Sequence, residues 1–123
     1  MKSLLLVAHG SRREASNEEV RQLTAKLQQQ AHNKFTYIDC AFLELATPSI
    51  PEGIDLCIDH QSTEIIVLPY FLSAGRHVSI DIPAIIKQKQ AEYPYIAIKV
   101  VDHLGSIEGI SSLILTSLIK NIA

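Results

Sequence analysis

The sequence has no tryptophan, one methionine and only two cysteines in 123 residues. Cys40 and Cys57 form no C-x-x-C pair, so neither a redox dithiol nor a thiolate zinc site has its pattern. Two free, buried thiols in a reducing compartment are expected instead. There is no excess of one charge: 11 basic against 13 acidic residues leave a net −2, with the signs interspersed along the chain. That excludes the broad basic field of a nucleic-acid binder and the acidic tract of a disordered tail. Long apolar runs are missing as well. The run before His9 is five residues, "LLLVA", too short for a secretory signal. The oily C-terminal "ISSLILTSLIKNIA" is broken by serines, a threonine and a lysine, and cannot span a bilayer. A cytoplasmic protein with no membrane or nucleic-acid partner is expected. Neither G-x-G-x-x-G nor a Walker sequence occurs, so dinucleotide and P-loop binding lack their signatures.

What is present is an ordinary apolar fraction, 47%, in a chain whose length suits a single domain over 1–123. "SLLLVA" (3–8), "FTYIDCAF" (35–42), "EIIVLPYFL" (64–72) and "YIAIKVV" (95–101) read as strands. Between them lies a helix with Val20, Leu23, Leu27 and Ala31 on one stripe, its start set by Ser11…Glu14 or Ser16…Glu19 as a capping box. A second helix runs from about Pro51 to Gln61, and a third starts at Asp81 and Pro83 and runs to about Tyr93. A last helix over 107–121 turns Ile107, Ile110, Ile114 and Leu118 inward, with Leu113 and Leu115 widening the apolar face. The βαβαβαβα order predicts an α/β fold: one doubly wound domain, a four-stranded parallel sheet in the order 2-1-3-4, and helices on both faces.

In that topology strands 1 and 3 are neighbours at the point where the winding reverses, and ligands of open α/β sheets bind beyond the strand C-termini there. His9 follows strand 1, and His77 lies past strand 3. Two imidazoles flanking that crevice suit a divalent transition metal. Glu44, past strand 2, offers a carboxylate on the same rim. Arg12, Arg13 and Arg76 crowd it and can bind carboxylates or phosphates by forked hydrogen bonds. Gly10, Ser11, Ser73 and Gly75 permit close backbone approach and supply donors. Leu72, Val78 and Ile80 either face a ligand on that rim or pack, and packing is the favoured reading. His32 and His60, at helix ends, are structural, and His103 follows strand 4 on the same rim. From the residues alone three readings stay open. They are an enzyme that handles a metal, a non-catalytic metal-binding or delivery module, and a flavodoxin-like phosphate or nucleotide binder.

Four segments narrow the choice. "LLLVAHGSRREASNEE", "FLELATPSIPEGID", "VLPYFLSAGRHVSIDIP" and "HLG" resemble, in order and spacing, the small CbiX-type sirohydrochlorin chelatases, from about residue 4 to residue 105. The chain is about half the length of the two-domain chelatases, as the short form is. The resemblance implies a lyase that inserts Co²⁺ or Fe²⁺, with Ni²⁺ also within reach of imidazole ligands, into the tetrapyrrole sirohydrochlorin. The product would feed cobalamin or siroheme synthesis. It also implies that the metal is a substrate, that no organic cofactor is needed and that the protein acts as a homodimer. His9 and His77 are then the catalytic metal ligands and Glu44 a catalytic carboxylate. Gly10, Ser11, Arg12, Arg13, Ser73, Gly75 and Arg76 bind substrate. One departure is His103, where family members often carry proline.

Overall fold

Short runs of branched apolar residues build the sheet of the computed structural model, which describes residues 1–122. The strands are β1 (Lys2–Ala8), β2 (Tyr37–Phe42), β3 (Glu64–Pro69) and β4 (Ala97–Val100). All pair in parallel, in the order β2-β1-β3-β4, as the sequence predicts. Alternate residues along each strand face opposite layers. Leu5, Val7, Ala41, Ile65 and Val67 form one core with Ile54 and Cys57 of α2 (Ile50–Asp59) and Ile82 and Ile86 of α3 (Ile82–Glu92). Leu6, Ala8, Cys40 and Phe42 form the other with Val20 of α1 (Glu14–Gln30). Both cysteines are free and buried, and burial pushes the Cys57 thiol up to about 11.

Local chemistry sets the helix starts. Ser49 accepts a hydrogen bond from the Glu52 backbone N–H while the Glu52 carboxylate accepts from the Ser49 N–H, a complete capping box that places the start of α2. Neither box expected for α1 forms. The Ser11 hydroxyl accepts from the Arg13 N–H, and α1 starts at Glu14 with no side-chain cap on Arg13. At α3 the chain coils earlier than expected: a π-helical turn, His77–Asp81, runs directly into Ile82, and Asp81 makes no cap. Lys89 of α3, buried, is clamped by Asp55 of α2 at 2.7 Å and by Glu92 at 3.0 Å. Burial alone would lower its pKa, but the two carboxylates more than offset that and raise it.

The last helix departs from expectation. Helix α4 (Ile110–Ile122) follows a 3₁₀ turn, Leu104–Ser106, and has no buried residue. Ile107, Ile114 and Leu118, expected to point inward, are exposed, as are Leu113, Leu115, Ile119 and Ile122, and Ile110 is only half-buried. On the α1 side of the sheet, Ile66 and Leu68 of β3 stay half-buried and Lys99 of β4 exposed. The helix is amphipathic enough to pack, but within this chain it rests chiefly on the 3₁₀ turn. Among the described residues no helix is long and apolar enough to cross a membrane.

Candidate functional site

The chain leaves β1 at His9 and turns at once. Gly10 sits at φ +93°, and a Cβ there would lie 1.7 Å from the Glu44 carbonyl oxygen. Glycine is thus required because two backbones touch: the place of a side chain at Gly10 is taken by the Glu44 carbonyl. The contact is sealed by the Glu44 N–H, which donates to the His9 carbonyl at 3.1 Å, just after the Leu43 N–H donates to Ala8. This brings the loop after β2 alongside the loop after β1. The Glu44 Oε1 atom then stands 3.1 Å from His9 Nε2. That separation is what two ligands of one ion have when each bond is about 2.1 Å.

His77 arrives from β3 by a longer route. The 72–76 loop is braced from behind by Gly105, whose N–H donates to the Phe71 carbonyl and whose missing side chain leaves room for the Leu72 carbonyl, 1.8 Å from where a Cβ would be. The π turn then presents His77 with its ring centroid 4.6 Å from that of His9 and 6.5 Å from that of Phe71. Two residues remote in the chain are therefore packed ring against ring on one rim, tilted by 33°. Both side chains are about half open to solvent, 46% for His9 and 45% for His77. His77 Nδ1 lies 2.8 Å from Asp81 Oδ2 one turn on.

Two shallow hollows flank the histidine pair. One, of about 250 Å³, runs from His9, Gly10 and Ser11 to Phe42, Tyr70 and Phe71. The other, of about 380 Å³, is lined by Leu43, Glu44, His77, Asp81, Ala84 and Ile85. A larger cleft, about 440 Å³, lies elsewhere and is walled by Asp39, Glu52, Asp55 and Asp59. Its carboxylates would repel an anionic ligand, so size does not identify the site here.

The amino-acid sequence matches the CbiX family over residues 3–121. The chain belongs to the CbiX family. Among relatives, it is 35% identical over 86 residues to the sirohydrochlorin cobaltochelatase of Methanocaldococcus jannaschii, covering 70% of this chain and 59% of that one. It is 32% identical over 111 residues to the sirohydrochlorin ferrochelatase of Priestia megaterium, covering 89% of this chain and 41% of that one. The chain thus spans about half the length of these relatives. The solved structure of the sirohydrochlorin chelatase SirB from Bacillus subtilis subspecies spizizenii, in complex with cobalt, superposes with a TM-score of 0.83 at 30% identity, covering 99% of this chain and 51% of that one.

Against this CbiX frame, the residues singled out from sequence fall into three groups. His9, His77 and Glu44 come together. Arg12, Arg13 and Arg76 are exposed and make no ion pair or side-chain hydrogen bond among the described residues, which leaves them available to an anion. The backbone N–H groups of Ser73 and Gly75 are likewise unpaired among the described residues, and nothing lies within 4 Å of a Cβ built at Gly75. Ser11 is different: its N–H is taken by Asn17 Oδ1 at 2.9 Å, so that donor serves the fold. Leu72 and Ile80, read as packing residues, are 75% and 55% exposed, and only Val78 is half-buried. They put apolar surface on the rim instead. His60 is structural as expected, stacked on Tyr37 with centroids 3.9 Å apart.

Two residues beside the site went unread in the sequence. Asn17, 2% exposed, also donates from Nδ2 to the Ser11 carbonyl at 2.8 Å and so staples the 9–13 loop to α1. Nothing in "REASNEE" marks it, since asparagine in a helix is usually solvated. Asp81 was assigned to a helix start, although its spacing of four from His77 was a usable signal for a pair on one helical face.

Proposed function

We propose that the chain is a single-domain chelatase that inserts a divalent metal, Co²⁺ or Fe²⁺, into sirohydrochlorin. The observation that carries this reading is the meeting of His9 and His77 across 4.6 Å at the junction of β1 and β3, with Glu44 Oε1 3.1 Å from His9 Nε2. The names of the relatives and the cobalt in SirB support it. Ni²⁺ suits the same imidazoles, and ligand chemistry alone makes no choice among these ions.

Metal insertion needs an ion held but not buried, two pyrrole protons removed, and a polycarboxylate ring oriented. His9 and His77 hold the ion on a half-open rim, so coordination positions remain for the incoming nitrogens. Weak, incomplete ligation is what a protein needs if it must surrender the ion. Glu44 accepts one pyrrole proton as the nitrogens take the metal, and the histidine freed as the ion leaves accepts the other. Arg12, Arg13, Arg76 and the N–H groups at Ser73 and Gly75 receive the ring carboxylates, while Leu72 and Ile80 meet its apolar surface. No organic cofactor enters these steps.

The working unit in this reading is a homodimer in the cytoplasm. Helix α4 supports it: seven large apolar residues of this region are exposed, and one solved relative carries about twice this chain in one polypeptide. A second copy supplies what the second half supplies there. Sedimentation should give a dimer that dissociates in Leu115→Glu. A monomeric parent would overturn the dimer.

The activity is tested by mixing protein, sirohydrochlorin and Co²⁺ and following the visible absorbance of the macrocycle. His77→Ala should abolish metallation with an unchanged circular dichroism spectrum. An unchanged rate rejects the assignment. Arg76→Ala should raise KM more than it lowers kcat.

A further inference from the structure

We infer that Asp81 is a positioning residue, one that fixes the His77 imidazole in the tautomer that offers Nε2 to a metal. The inference rests on the metal-insertion reading above and assigns a role to a residue outside the His9–His77–Glu44 set. Asp81 Oδ2 lies 2.8 Å from His77 Nδ1. An ionised carboxylate only accepts hydrogen bonds, so Nδ1 must carry the proton. The one lone pair left on the ring is then on Nε2. Neutral imidazole in water favours the opposite arrangement, with the proton on Nε2, so the ring needs a partner to hold it ready for a metal.

The local fold is arranged for this contact. The two residues are the first and last of the His77–Asp81 π turn, and the Ile82 N–H closes that turn on the His77 carbonyl. Such turns are rare and concentrate at functional sites. Asp81 sits at the N-terminal boundary of α3 yet caps no backbone N–H, so its carboxylate is directed to the ring and not to the helix. It is 39% exposed, and among the described residues no lysine or arginine pairs with it. A carboxylate behind a metal-bound histidine orients the ring and strengthens it as a donor, and losing one typically weakens metal affinity about 10–100-fold. His9 has no equivalent: the carboxylate near it faces Nε2, the candidate metal-side atom.

The test uses the protein without sirohydrochlorin. Co²⁺ affinity is read by competition with a chromophoric chelator, and the His77 tautomer by long-range ¹H–¹⁵N NMR of the metal-free protein at a pH where the ring is neutral. The parent should show the Nδ1–H tautomer. Asp81→Ala should shift His77 toward Nε2–H and weaken Co²⁺ binding about 10–100-fold. Asp81→Asn, whose amide can donate to a bare Nδ1 as well as accept from a protonated one, should lose Co²⁺ affinity in step with its Nε2–H fraction, and it serves if the alanine variant does not fold. An Nε2–H tautomer in the parent, full affinity in Asp81→Ala, or an Asp81→Asn variant whose tautomer shifts while its affinity stays full would each overturn the role. His77→Ala in the same assay separates the two proposals. If it binds Co²⁺ like the parent, the metal site itself is wrong. If it loses binding while Asp81→Ala keeps it, only the positioning role falls.

Discussion

Helices α1 and α4 make an instructive pair. The first is the more polar, with charged and amide side chains over most of its length, yet it buries Asn17, Val20 and Thr24 against β1 and β2. The second is mostly Leu, Ile and Ser, yet buries nothing. Apolar content states how much a helix can gain by burial, and a partner surface decides whether it does. For α1 that surface is made by Leu6, Cys40 and Phe42. For α4 the described chain offers none.

The largest expected effect comes from deepening that contrast. Phe42 is fully buried under α1, and Phe42→Ala should cost about 3–5 kcal/mol in urea titrations. Leu118→Ala, measured dilute enough to keep the chain monomeric, should cost less than about 0.5 kcal/mol. A core-sized loss for Leu118 would mean that α4 packs within its own chain, and the comparison would break.

An intermediate effect sharpens it on the α1 side. Asn17→Ala removes two hydrogen bonds to the 9–13 loop and leaves the Ser11 N–H without its partner, costing about 1–3 kcal/mol. Because that loop carries His9, Co²⁺ affinity should fall as well. Intact affinity in a destabilised variant would show that the staple serves only the helix.

The smallest effect concerns the far end of the sheet. Glu64, at the start of β3, accepts a hydrogen bond from Lys99 of β4, and the charges of Lys99 and Lys2 of β1 act in the same direction, holding its carboxyl below the ordinary 4.5. A carboxyl depressed on folding stabilises the fold at pH values above its unfolded pKa, and that contribution fades as the pH falls through the folded value. Parent and Glu64→Gln should therefore differ modestly in melting temperature at pH 7 and converge below about pH 4. A constant gap across that range would say the carboxylate charge contributes nothing.

Strand positions and order were readable in advance because each strand is a short, mainly apolar run and the parallel order leaves few topologies. The topology in turn placed His9 and His77 at one junction, although nothing local links them. What escaped notice depends on backbone detail. Gly10 looked like a ligand contact but holds the Glu44 carbonyl. Ser11 looked like a cap or a substrate donor but is held by Asn17. Asp81 read as a helix start because aspartate before Ile-Pro so often is one, and only the π turn turns it toward His77. The direction of the α4 stripe could not be read, since periodicity reports a face without naming what meets it.

The Leu104–Ser106 turn looks two ways. On one side Gly105 lies against the main chain of Leu72, with no side chain between them to yield. On the other it carries α4. Any side chain at position 105 would therefore displace the Leu72 main chain, and with it the start of the loop that leads to His77.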